Sequence, residues 1–194
     1  ASVVCFGVYK LGHSFITLWV GSGFALEQSA FIVLIAITFI NLSRTNDTFL
    51  AAYGLYQDVW APAVETFLNL GLSVLLGYYY GLSGILSGVL ISLLVIVYGW
   101  KPFFLYKYGF KENVSEYITR FSKYLALIAV SCICISWLDD YLFSNSICSY
   151  GKWCLSALRL LTLYSVFSFV LFLCSDKAAR SYVKRFKSYV IKRK

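Results

Sequence analysis

Five long apolar runs, at positions 24–42, 60–80, 82–100, 117–138 and 155–175, occupy most of this chain. Each is close to the about 20 residues a helix needs to cross roughly 30 Å of hydrocarbon. A buried helix of a water-soluble domain predicts shorter runs, of roughly 10 to 14 residues. Inside lipid every backbone N–H and C=O must find a partner within the protein, which leaves helices or closed barrels, and runs of this length read as helices. The expectation is an all-α, polytopic transmembrane bundle of about five full spans, with a partial span at 3–20 before them. Composition agrees: 60% of residues are apolar, 19% aromatic and 13% charged, with a mean hydropathy of +0.73. Ordinary soluble domains carry about 25% charged residues.

The cations set the orientation. Arg44 lies between the first two runs, and Lys101, Lys107 and Lys111 lie between the third and fourth, with Arg120 and Lys123 entering the fourth. After the last run, residues 176–194 form a basic tail that includes Lys177, Arg180, Lys184, Arg185, Lys187, Lys192, Arg193 and Lys194. The other side carries Lys152, with Arg159 just inside a helix and the acids Glu27, Asp139 and Asp140 nearby. The positive-inside rule then puts the C-terminus and the 101–123 connection in the cytoplasm. The net charge of +8 is in this reading an orientation signal, and the tail meets anionic membrane lipids rather than nucleic acid. Tryptophan, which favours the headgroup level, fits the same map: Trp19, Trp137 and Trp153 at outer boundaries, Trp60 and Trp100 at inner ones. The chain opens on Ala1 with no signal-peptide pattern, and the expectation is a portion of a longer protein.

Two connections stand out. The link 43–59 (SRTNDTFLAAYGLYQDV) spaces Phe49, Leu50, Tyr53 and Tyr56 as a helix would and predicts a short amphipathic helix along the interface. The segment 139–153 (DDYLFSNSICSYGKW) predicts the longest outer loop. Of the six cysteines, Cys132 and Cys134 fall on different faces of one helix and cannot clamp a metal. Cys148 and Cys154 share the outer loop and are spaced for a disulfide in an oxidising compartment, but the set reads as apolar filler. With His13 as the single histidine, neither a zinc site nor a hydrolytic triad can be assembled, so no cofactor, metal or enzymatic activity is expected.

Polar residues inside the runs carry the remaining information. Glu65 lies about one and a half turns into the second run, with Asn69 four residues later on the same face and Gln57 and Asp58 just ahead of the helix. A carboxylate facing lipid is costly, so Glu65 and Asn69 should face a bundle interior or a wet cavity. They serve either as a proton- or cation-responsive gate and substrate lining, or as interhelical glue. The segment GLSGILSG opens the third run with Gly81, Gly84 and Gly88, and small residues four apart allow a close backbone approach to the second run.

The stretch 15–110, read as FITLWVG, RTNDTFLAAYGLYQD, PAVETFLNLGLSVLLGYYYGLSGILSGVLIS and KPFFLYKYGF, resembles the polysaccharide biosynthesis flippases. These Wzx-type translocases of O-antigen and capsule repeat units belong to the multidrug/oligosaccharidyl-lipid/polysaccharide exporter superfamily. The most specific part is Asn69-Leu70 followed by Leu72-Ser73 and the turn at Gly81 and Gly84, preceded by the link from Arg44 to Gly54-Leu55-Tyr56. About half of the chain carries the resemblance, and the last two runs follow the family's topology. It implies one C-terminal lobe of a MATE-like transporter, the partner N-terminal lobe supplying the other half of a central cavity. The implied substrate is an oligosaccharide joined by pyrophosphate to a polyprenol, moved from the cytoplasmic to the outer leaflet of the bacterial inner membrane. The polysaccharide polymerase machinery is an implied partner, and a drug or metabolite antiporter of the same superfamily and a nontransporting fragment are the alternatives. A pyrophosphate and sugars crossing a membrane need cations and hydroxyl partners along a hydrated path. Lys10, His13, Arg44, Arg120 and Lys123 are the candidates for the first role, Gln57, Asn69 and tyrosines for the second, and Glu65 for coupling. The chain alone, lacking half of such a cavity, is expected not to transport.

Overall fold

The computed structural model describes residues 1–142, 149–176, 179–181 and 183–185. Cys148 and most of the basic tail, including Lys177, Lys187, Lys192, Arg193 and Lys194, lie outside the described residues. The described chain is all helix: α1 (Ser2–Trp19), α2 (Gln28–Leu42), α3 (Thr45–Ala52), α4 (Trp60–Leu93), α5 (Lys101–Phe104), α6 (Val114–Leu142) and α7 (Tyr150–Ser175), with 3₁₀ turns at Ser22–Phe24 and Tyr56–Asp58. Four helical stretches are long and apolar enough to cross a membrane: Gln28–Ala52, Tyr56–Phe110, Val114–Leu142 and Tyr150–Ser175. The protein is a polytopic membrane helical bundle. α1 is a complete 18-residue helix, outside those four stretches.

The 55-residue stretch Tyr56–Phe110 is too long for one crossing and is folded back on itself. At Gly81 the backbone takes φ 58° and ψ −137°, a conformation reserved for glycine, and α4 becomes two antiparallel limbs, 60–80 and 82–93. Contacts across the hairpin fix its register. A Cβ built on Gly84 would lie 2.0 Å from the carbonyl oxygen of Leu76, and one on Gly88 would lie 2.5 Å from the backbone nitrogen of Ser73. The Ser73 hydroxyl donates to the carbonyl of Ile85 at 3.0 Å. Counting both limbs, the described residues hold five apolar helical segments of crossing length, in line with the five runs.

Beyond Leu93 the returning limb continues to Phe110 through two π-wound segments, Leu94–Trp100 and Leu105–Phe110, on either side of α5. Pro102 supplies a physical reason for the first. It has no N–H, and in a regular helix its ring would meet the carbonyl four residues back, so a wider turn before it relieves the clash.

The described chain divides into two compact units, 1–121 and 122–194, with the boundary inside α6. In unit 1 the core joins Ile37 and Ile40 of α2 to Leu93 and Val97 of the returning limb. α1 packs on α2, where Gly12 faces the ring of Phe31 and Cys5 Sγ lies 3.8 Å from the carbonyl of Ile35. α3 is the short helix expected in the link. Its Leu50 is buried with Phe104 and Leu105, while Phe49 and Tyr53 meet the ring of Phe110 edge-on.

In unit 2, α6 and α7 run antiparallel, as successive contacts show. Lys123 Nζ donates to the carbonyl of Ser175 at 2.8 Å, Tyr124 hydrogen-bonds Asp176, Cys132 Sγ lies 3.6 Å from the Tyr164 hydroxyl, and Arg159 meets Asp139 at 2.9 Å. The connection is more helical than its breaker residues suggest. α6 continues through Leu142 and α7 begins at Tyr150, so both ends of the expected 139–153 loop are wound into helix. An apolar helix can extend a turn past the hydrocarbon because its own hydrogen bonds go with it.

Candidate functional site

The reversal at Gly81 returns the chain to where α4 began: the rings of Trp60 and Trp100 lie 4.6 Å apart. The link containing α3 arrives at the same end, and four charges of unit 1, Arg44, Asp47, Glu65 and Lys101, meet there.

Arg44 stands at the N-terminus of α3 and is the hub. Its Nε donates to Asp47 Oδ2 at 3.1 Å, its Nη2 to Glu65 Oε2 at 3.3 Å and its Nη1 to Asn41 Oδ1 at 3.4 Å. The planar guanidinium presents its N–H groups in a rigid fork and so fixes the directions of all three acceptors in its plane. Asp47, one turn into α3, uses its second oxygen to accept Lys101 Nζ at 2.6 Å. The result is a chain of charges, Glu65–Arg44–Asp47–Lys101, that ties together the start of α3, the first limb of α4 and α5. Lys101 is only 8% exposed, which is tolerable because a carboxylate meets it directly.

A cavity of about 240 Å³ opens beside this chain, lined by Asp47, Asp58 and Lys101, by Tyr56, and by the apolar side chains of Leu50, Leu55, Val59 and Pro62. Asp58 Oδ1 accepts the indole N–H of Trp100 at 2.6 Å. Two further polar contacts brace the same end: the Ser43 and Tyr98 hydroxyls are 2.6 Å apart, and Asn46 Nδ2 donates to the Tyr117 hydroxyl at 3.4 Å.

The residues singled out from sequence distribute unevenly over this geometry. Arg44 and Glu65 enter the cluster together. Asn69 does not join Glu65, although the two share a helix face; its Oδ1 accepts the Ser73 hydroxyl at 3.1 Å. Gln57 is exposed on the turn that carries Asp58. Lys10 and His13 lie on α1, outside the cluster. Arg120 is exposed and pairs one turn back with Glu116 at 3.2 Å, and Lys123 belongs to unit 2, bonded to Ser175. Gly84 and Gly88 are buried at the hairpin contact and Gly81 makes the turn.

Lys101, Asp47 and Asp58 are the members not singled out as site residues from sequence, where Lys101 served only to set orientation and Asp58 only as a neighbour of the second run. The Arg44–Asp47 spacing of three is a local signal that could have found one of them. Lys101 and Trp100 meet partners 54 and 42 positions away, which no local pattern reports. Among the described residues no group of three or more His, Cys, Asp or Glu side chains is arranged to hold a metal ion. Among the described residues Cys5, Cys132, Cys134, Cys154 and Cys174 form no disulfide with one another. The chain matches no protein-family model, no curated protein and no solved structure.

Proposed function

We propose that this chain is one lobe of a transporter that turns polyprenyl-pyrophosphate-linked oligosaccharides from the cytoplasmic to the outer leaflet of the bacterial inner membrane, for surface polysaccharide synthesis. The observation that carries the reading is the Glu65–Arg44–Asp47–Lys101 chain at one end of a membrane-embedded helical unit. Ionisable groups are costly in such a bundle and mark substrate or ion paths far more often than they mark lipid-facing surface. Ion pairs that bridge separate helices can also be exchanged for ligand contacts when the helices move, as alternating access requires. The resemblance of 15–110 to the Wzx-type flippases supplies the substrate class. In this reading the charged end faces the cytoplasm, following the excess of lysine and arginine on that side. The lobe works with an N-terminal lobe and beside the polymerase that uses the flipped glycan.

Chromosomal deletion of the gene encoding this chain, with complementation by wild type and by Arg44→Ala, tests the proposal. Loss of surface glycan on deletion, restored by wild type and not by Arg44→Ala, is the expected result. Intact surface glycan together with altered tolerance to cationic drugs would overturn it in favour of an antiporter.

A further inference from the structure

Glu65 and Asp47 balance Arg44 and Lys101, so that chain of four charges is neutral. Asp58 is left over. Among the described residues its carboxylate joins no ion pair; its Oδ1 accepts a neutral indole N–H from Trp100 at 2.6 Å, and its Oδ2 accepts nothing. It is also half-buried on the wall of the 240 Å³ cavity, opposite aliphatic side chains. Its spare oxygen leaves a position at this wall that a positive charge can take.

We propose that this cavity is a binding site for a small organic cation, an ammonium carried on a short apolar body, with Asp58 as its counter-ion. Each wall selects for part of that description. Leu50, Leu55, Val59 and Pro62 offer contact to hydrocarbon and nothing to a hydrated ion. A hard metal cation needs six or more oxygen ligands, and one spare carboxylate oxygen among aliphatic walls does not provide them. An anion would meet the uncompensated Asp58, while Lys101, the one cation among the described residues of the wall, is already held by Asp47 at 2.6 Å. The volume lies below the roughly 300 Å³ at which sites for drug-sized ligands begin, which limits the apolar body to a few carbons. The Tyr56 side chain at the wall adds an aromatic surface that favours a cation over a neutral homologue. The cavity shares Asp47 and Lys101 with the charge chain of the proposed function, but the cation site is carried by Asp58 and is tested apart from glycolipid transport.

The test is a titration of the detergent-solubilised chain, carrying isotope-labelled tryptophan, with n-butylammonium, n-butanol and butyrate. The readout is the indole N–H resonance of Trp100, one of five indole signals, assigned by its loss in Trp100→Phe. Butylammonium is expected to move that resonance saturably, and butyrate and butanol are not. Asp58→Asn should weaken the effect by about tenfold or more, leaving the other four indole signals in place, and Asp58→Glu should restore it. An equal shift with butanol, the absence of any saturable shift with butylammonium, or unchanged binding in Asp58→Asn would each overturn the proposal. The wild-type comparison of butylammonium with butanol decides the charge requirement even where Asp58→Asn does not fold.

Discussion

Arg44 Nη2 lies 3.3 Å from Glu65 Oε2, across 21 positions of sequence, with the two side chains 28% and 18% exposed. This contact joins the α3 link to the first limb of α4. Removing Arg44 leaves the half-buried Glu65 carboxylate without its ion-pair partner, whereas removing Glu65 leaves Arg44 still held by Asp47 and Asn41. Arg44→Ala is expected to lower unfolding free energy in detergent by about 1–3 kcal/mol and Glu65→Gln by less, with the double variant short of the sum. Strict additivity in that double-mutant cycle would show that the contact carries no coupling.

The hairpin makes a contrasting prediction for two glycine sites on α4. A Cβ at Gly88 would lie 2.5 Å from the Ser73 nitrogen and 2.7 Å from its Cα, backbone atoms that cannot rotate away, so Gly88→Ala must push the limbs apart. A Cβ at Gly71 meets nothing within 4 Å. Gly88→Ala should therefore cost about 1–3 kcal/mol, read as a lower midpoint of thermal unfolding. Gly71→Ala should be neutral or stabilising by up to about 1 kcal/mol, since it places alanine in a helix at no steric cost. Equal effects at the two sites would contradict the close approach of the limbs.

Because the chain reverses at Gly81, Tyr78 and Lys111 should lie on opposite sides of the membrane. Tyr78 is 85% exposed near the tip of the hairpin, and Lys111 ends the returning limb. In a variant lacking the native cysteines, a membrane-impermeant maleimide applied from outside is expected to label Tyr78→Cys and to spare Lys111→Cys. Reversed labelling would invert the orientation. Labelling of both positions from one side would remove the fold-back itself.

Two ion pairs, one in each unit, lie in different surroundings. Arg159 and Asp139 meet at 2.9 Å with side chains 30% and 17% exposed, while Arg120 and Glu116 meet at 3.2 Å in unit 1 with side chains 69% and 57% exposed. Water screens the second pair, so Glu116→Ala should change stability by no more than about 0.5 kcal/mol. Asp139→Ala removes a carboxylate partner from the less exposed Arg159 and should cost more, about 1–2 kcal/mol. Chemical denaturation of the two variants in the same detergent gives the ranking, and a larger loss for Glu116→Ala would refute it.

Much of the fold is local information. Run length and apolarity suffice for the helices, because in lipid each helix must close its own backbone hydrogen bonds whatever its neighbours are. The hairpin at Gly81 is legible for a similar reason: one residue free to take a positive φ, followed by small residues four apart, leaves two adjoining helices little choice but to pack on each other. The link helix α3 follows from the spacing of Phe49, Leu50 and Tyr53. The connection 139–153 was less legible, since Ser, Asn and Gly mark a possible break without fixing how far the flanking helices extend.

The candidate site divides along the same line. Glu65 and Arg44 stand out in sequence because a charge in or beside an apolar run is costly. That cost says a partner must exist; it does not say which. Helical spacing nominated Asn69 for Glu65, whereas the partner is Arg44, and Asn69 turns to Ser73. Asp47 with Lys101 and Asp58 with Trp100 form only after the Gly81 reversal brings the end of the returning limb beside the α3 link. The amino-acid order by itself determined a membrane bundle, its helices and its one tight turn, because these depend on the solvent and on backbone chemistry within a few residues. Which charges meet, and the cavity they leave beside Asp58, were decided by tertiary packing alone, because Coulombic and hydrogen-bond contacts act over a few ångströms of space and take no account of separation along the chain.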